Sequence, residues 1–174
     1  MIKNIKVNLE VVESMNYFWT ATKEREKVGE NFLVTVAEHS LMKKIYTEEF
    51  TGDSVRKCLS AISNREPYHG LKPEMRFWNN NMWMLEDMGI MEMMLSPLKK
   101  LNLDSIIKEL PQFTAELVEV AFIPGSVELY TLDREEKRLI VNFFRIWADI
   151  NTGELTIEDK PIAGWIKEKI EELF

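Results

Sequence analysis

The residues from Asn79 to Pro97 read NNNMWMLEDMGIMEMMLSP and hold six of the chain's ten methionines, a tryptophan and three consecutive asparagines. Thioethers are soft ligands that select Cu(I), so Met82-x-Met84 and Met88-x-x-Met91-x-Met93 carry donors that copper accepts. A cytosolic copper site also draws on Cys or His, and this stretch has neither. Unbranched Met serves a second use, because it repacks around varied apolar partners. Projected at about 100° per residue, the apolar residues from Met82 to Leu95 cover nearly every direction. Only Glu86, Asp87, Gly89 and Glu92 interrupt them. A helix apolar all round is usually buried. Burial therefore ranks first, an adaptable binding surface second, and metal last; no metal site is expected. Gly89 sits mid-pattern, where Gly costs about 1 kcal/mol relative to Ala. A break there splits the segment and frees one half to face a pocket or a partner. Three successive amides point in three directions, so at least one of Asn79, Asn80 and Asn81 faces inward and needs hydrogen-bond partners.

The two histidines are the other candidates for chemistry. His39 follows Glu38 and falls off the Leu33/Ala37/Leu41 stripe, which puts it at a surface or boundary. His69 lies in a loop, Pro67-Tyr68-His69-Gly70, where a scaffold often carries function. Glu66-x-x-His69 has the spacing of di-iron helices. Pro67 and Gly70 oppose that helix, however, and no second Glu-x-x-His exists. A His–carboxylate enzyme using His69 with Glu66 and Tyr68, helped by Arg65 or Arg76, is the alternative reading of function. There is no Gly-x-Ser-x-Gly and no phosphate-binding glycine loop. Cys58 shares an apolar stripe with Val55, Leu59 and Ile62, which marks it as a buried, inert thiol. Asp149-x-Asn151-x-Gly153 has the start of a calcium loop but not its sixth-position Gly or closing Glu, and reads as a hairpin turn. No cofactor is expected.

Composition narrows the partners. A net charge of −7 and a pI near 5.0 repel phosphate backbones, and the densest cationic pairs are only Lys43-Lys44 and Lys99-Lys100. Nucleic acid is therefore not expected. One cysteine makes no intrachain disulfide, and no Asn-x-Ser/Thr acceptor is present. The N-terminal residues lack the pattern of a signal peptide. Apolar runs fall far short of the ~20 residues that cross a bilayer. A cytoplasmic protein with no membrane contact is the expectation.

These residues must be positioned by elements, and the pattern changes character near Pro111. Before it, apolar spacing is helical: about Leu9 to Lys27, Glu30 to Tyr46, a third helix capped by Asp53, the Met-rich helix opened by Pro73, and a short one from Asp104 to Leu110. Asn64 to Lys72 reads as a loop. After Pro111, short alternating runs predict strands: Val118 to Phe122 ending in Pro124-Gly125, Val127 to Thr131, the long RLIVNFFRIWADI, and ELTIE beyond a turn at Gly153. The third run is apolar on both faces, which predicts a central strand. A helix from Pro161 closes the chain, with Ile162, Ile166, Ile170 and Leu173 as its stripe.

The expected fold is one α+β domain over residues 1–174. A helical region (about 1–110, four to five helices) precedes an antiparallel β-meander of about four strands and a C-terminal helix packed on it (about 115–174). The function expected from this is non-catalytic binding of a small apolar ligand, or of a protein partner that includes a second copy of the chain. Trp78, Asn79, Trp83, Met84, Met88 and Met91 would carry it, with Trp147 opposite on the central strand. An apolar cavity between the helical part and the sheet is the place to look for the ligand.

Overall fold

The computed structural model describes residues 1–174. Its main sheet is built from β1 (Ile2–Asn8), β2 (Ala115–Ile123), β3 (Tyr130–Asp133) and β4 (Arg138–Asn142), in the spatial order β1-β2-β4-β3. A second, smaller antiparallel sheet is β5 (Trp147–Ala148), β6 (Leu155–Ile157) and β7 (Lys160–Pro161). Between β1 and β2 come α1 (Glu10–Lys23), α2 (Glu30–Ala37), α3 (Ser40–Lys43), α4 (Gly52–Ser63), α5 (Lys72–Glu86), α6 (Met88–Lys99) and α7 (Asp104–Ile107). The last helix is α8 (Ile162–Leu173).

The α+β class holds, but the meander does not. In the main sheet β1 runs parallel to β2 and β2 parallel to β4, and β3 and β4 form its one antiparallel pair. Two features of the chain explain the difference. The N-terminal strand spaces its buried residues as Ile2 and Ile5, a three-residue step that fits no strict alternation. After β2, Pro124-Gly125 does not close a hairpin. It leads the chain past the β4 position to the sheet edge, where β3 lies, and β4 then inserts between β3 and β2. β4 takes that central place because Leu139, Ile140 and Val141 are all buried and both of its faces must be covered.

The run RLIVNFFRIWADI is not one strand. It breaks at Asn142, whose Oδ1 accepts from the Phe144 N–H two residues on, at 3.1 Å. Asn offers the backbone this local alternative to a ladder. A 3₁₀ turn over Phe143–Arg145 follows, and β5 starts the small sheet.

Helix ends also differ from the periodic reading. The expected second helix is two, because His39 turns the chain: its Nδ1 accepts from Leu41 N–H at 3.1 Å, and Nε2 reaches Glu10 at 3.3 Å. The Met-rich segment breaks at Asp87, not Gly89. Asp87 leaves helical geometry and its Oδ1 caps α6 by accepting from Ile90 N–H at 3.0 Å. α6 then runs through Pro97 to Lys99.

The sheet is covered on both sides. α8 packs on β3 and β4, with the Trp165 ring edge-on to Tyr130 at 5.7 Å. Tyr130 pairs with Val141, so the alternate residues Ile140 and Asn142 face the other way, toward the helical layer. Their register mates Thr131, Ala121 and Ile123 share that face. α1 and α3 pack against β2 from the helical side. One cluster of 48 buried apolar residues runs through both interfaces, from Ile2 to Leu173.

Candidate functional site

A cleft of about 190 Å³ opens between the helical layer and the sheet. Ile123 and Ile140 supply its sheet wall, Ile45 and Phe50 its wall from the α3–α4 connection, and Pro73 its contact with the start of α5. It lies where β2 and β4 end, at the carboxyl edge of the parallel strands. Open sheets with parallel strands bind ligands there, because the chain diverges to different layers and leaves a crevice.

Local sequence builds this edge. Asn142 is 3% exposed and ties the loop after β2 to the end of β4. Its Oδ1 accepts from the Gly125 N–H at 3.2 Å and from Phe144 N–H. Its Nδ2 donates to the Ser126 and Glu128 carbonyls at 2.9 and 3.0 Å. All four bonding positions of the amide are used, so Asn142 shapes the cleft rather than offering itself to a ligand. Gly125 is required by this approach: a Cβ there would lie 2.7 Å from the Asn142 Cγ. Ser126 Oγ donates to the Pro73 carbonyl, and Asn80 Nδ2 donates to the Gly125 carbonyl at 3.2 Å. Two points thus fasten α5 to the cleft loop.

The polar groups left over are few. The Thr47 and Thr131 hydroxyls line the cleft, and Glu128 is the one charged residue among the lining residues. The apolar side chains of the lining come from Ile45, Phe50, Ile123, Val127, Tyr130 and Ile140, beside the already bonded loop residues Ser126 and Asn142. Such a surface takes an uncharged, mainly apolar body and can hydrogen-bond a polar end.

The residues singled out by sequence do not converge here. None of Trp78, Asn79, Trp83, Met84, Met88, Met91 and Trp147 lines the cleft. Met84 and Met91 are fully buried, while Trp83 and Met88 are half-buried and packed on the core. Asn79 is exposed. Trp147 is 65% exposed on the small sheet; its strand β5 packs against α6, but the indole faces out, with exposed Ile150 beyond it on the same hairpin. Trp78 lines a separate groove with Met82, at the ends of α1 and α4.

The asparagine triplet divides as its geometry demands. Asn81 is wholly buried; its Oδ1 accepts from Trp19 Nε1–H at 3.0 Å and its Nδ2 donates to the Phe77 carbonyl at 2.8 Å. Asn80 holds the cleft loop, and Asn79 faces solvent.

His69 and Glu66 are exposed on the loop between α4 and α5, and His69 makes no hydrogen bond or ion pair within the chain. Tyr68 stacks on Trp78 at 5.5 Å, and its phenol is pushed up to about 12 by burial and then by the nearby Glu74 carboxylate. Burial also raises the Cys58 thiol well above its ordinary value, with Glu74 adding to it. That thiol is wholly buried and stays protonated at neutral pH. No group of three or more His, Cys, Asp or Glu side chains is placed to hold a metal ion, and no helix is long and apolar enough to cross a membrane.

Sequence reasoning missed Thr47, Ser126, Thr131 and Asn142. The signal for Asn142 was present: a lone amide inside an otherwise apolar run has to find partners. Thr47 and Thr131 carry no such mark, since only the sheet order brings them together. No family model matches the chain, and no curated protein or solved structure matches it either.

Proposed function

We propose that this protein binds a small, uncharged, mainly apolar molecule, without catalysis, in the cleft between the helical layer and the sheet. The observation that carries this reading is the lining. Ile45, Phe50, Ile123 and Ile140 form an apolar crevice at the carboxyl ends of β2 and β4, with the Thr47 and Thr131 hydroxyls free to orient a polar end. The Asn142 hub, by using all its own hydrogen bonds, holds the crevice open in the absence of ligand. A preformed site loses less ordering entropy on binding than one that must assemble.

The Met- and Trp-rich segment supports this site from behind rather than lining it. Asn80 and Pro73 of α5 hold the cleft loop, and Asn81 locks α5 against α1 through Trp19. On this reading the cytoplasm is the proposed location.

The test uses a neutral fluorescent naphthylamine, N-phenyl-1-naphthylamine, whose emission rises in apolar surroundings. Saturable binding to the native protein is expected. Thr131→Phe places a ring in the cleft from an edge strand that tolerates aromatic residues. It should weaken the probe at least tenfold while the melting temperature stays within a few degrees. Unchanged binding by that variant sinks the assignment.

A further inference from the structure

The groove beside Trp78 is built from two copies of one helix ending. Ala21-x-x-x-Arg25-Glu26 closes α1 and Ala61-x-x-x-Arg65-Glu66 closes α4. In both, the glutamate N–H returns to the alanine carbonyl at 2.8 Å. The arginine N–H bonds the next carbonyl along, Thr22 at 3.1 Å or Ile62 at 3.2 Å. This Schellman ending needs a left-handed residue at the arginine position, which is usually glycine. Arg25 and Arg65 have φ of 63° and 56°. The chain therefore accepts backbone strain twice, at matching positions, to place arginines where glycine would fit more easily.

Both arginines line the same groove, of about 580 Å³, with Lys23 beside them. Its floor is the stripe Trp78, Met82 and Leu85, spaced i, i+4, i+7 on α5. Tyr68 stacks on the Trp78 ring with an interplanar angle of 9°, fixing the indole. Arg65 is also fixed, since its Nη2 donates to the Thr22 carbonyl at 2.9 Å. That bond gives Arg65 a structural use as a cap on α1. Arg25 has none: neither it nor Lys23 joins any ion pair or side-chain hydrogen bond in the chain. The Thr22 hydroxyl, on a 3% exposed residue that lines the groove, also lacks a partner. Glu66 and Glu86 line the groove as well. Three cations against two carboxylates leave one positive charge to be matched, in a protein whose net charge is −7.

We propose that this groove is a second binding site, for a molecule that carries one carboxylate on a flat apolar body. The body lies on the Trp78–Met82 floor, and Arg25 takes the carboxylate. A guanidinium matches that group in shape as well as charge. A doubly charged phosphate is disfavoured by Glu66 and Glu86.

Phenylacetate, 2-phenylethanol and phenyl phosphate are the probes, titrated calorimetrically into the full chain. Phenylacetate should bind at least tenfold more tightly than the alcohol and no less tightly than the phosphate. Arg25→Gly is the decisive variant, because it removes the guanidinium and relieves the strained φ together. It should melt a few degrees higher than the native protein and bind phenylacetate at least tenfold more weakly, so that the loss cannot come from unfolding. Thr131→Phe should leave phenylacetate binding intact. The proposal is overturned by equal binding of the alcohol, by tighter binding of the phosphate, by unchanged affinity or a lower melting point in Arg25→Gly, or by loss of binding in Thr131→Phe.

Discussion

Asn81 shows how one buried side chain fixes the relation of two helices. Its amide satisfies the Trp19 indole N–H and the Phe77 carbonyl, inside a core where the Trp19 ring stacks on Phe143 at 5.9 Å. Asn81→Ala leaves the indole donor buried without a partner and opens a small void. A loss of about 2–3 kcal/mol of stability is expected by urea denaturation, with the slope unchanged. Glu74 makes a pH-dependent contribution. Burial alone would raise its carboxyl, but the neighbouring Ser54 hydroxyl, the Leu71 N–H bond at 2.8 Å, the nearby Tyr68 phenol and the Lys57 charge hold it below its ordinary value of 4.5. A depressed folded-state value means that the stabilisation is fully present at neutral pH. It fades as pH falls below about 4.5 and is lost once pH passes the folded-state value. Glu74→Gln should thus melt lower than native at pH 7, and the gap should close on acidification. A gap that stays constant down to pH 3 contradicts this origin.

At the scale of elements, the helices were legible where an apolar stripe repeats and illegible where a single side chain ends them. α4, α5 and α8 lie close to where their stripes put them, and the all-round apolarity of the Met-rich stretch correctly indicated burial for Met84, Met91 and Met94. The break in that stretch is set by the Asp87 cap rather than by glycine flexibility. Gly89 falls in the first turn of α6, and a Cβ there meets nothing closer than the Asp87 Oδ1 at 3.5 Å. Gly89→Ala should therefore stabilise by about 0.5–1 kcal/mol, and Asp87→Ala should cost about 1 kcal/mol. Thermal melts of the two variants check both signs, and destabilisation by Gly89→Ala contradicts the assignment. Strand identity was partly legible too: β2, β4 and the β5–β6 hairpin at Gly153 lie within the expected runs. Parallel pairing was not: one parallel partner of β2 lies more than a hundred residues away in β1, and the other, β4, is reached only after the chain passes through β3, so no local pattern records either.

Over the whole molecule, the order β1-β2-β4-β3 creates the cleft. Had the four runs formed a meander, β2 would pair with β3, and the loop after β2 would be a tight turn instead of one wall of a crevice. The candidate site was therefore legible only as a location, between helices and sheet, and not as a set of residues. Of the residues expected to bind, Met84 and Met91 lie in the core behind the cleft, and Trp147 lies on the exposed small sheet. The direct measurement is an amide NMR titration of the native protein with the neutral naphthylamine. Shifts that saturate together at Ile123, Gly125, Thr131 and Ile140, with none at Trp147 and Ile150, are the predicted result. Saturating shifts confined to the exposed Trp147–Ile150 hairpin, or no saturable shifts at all, would contradict the account.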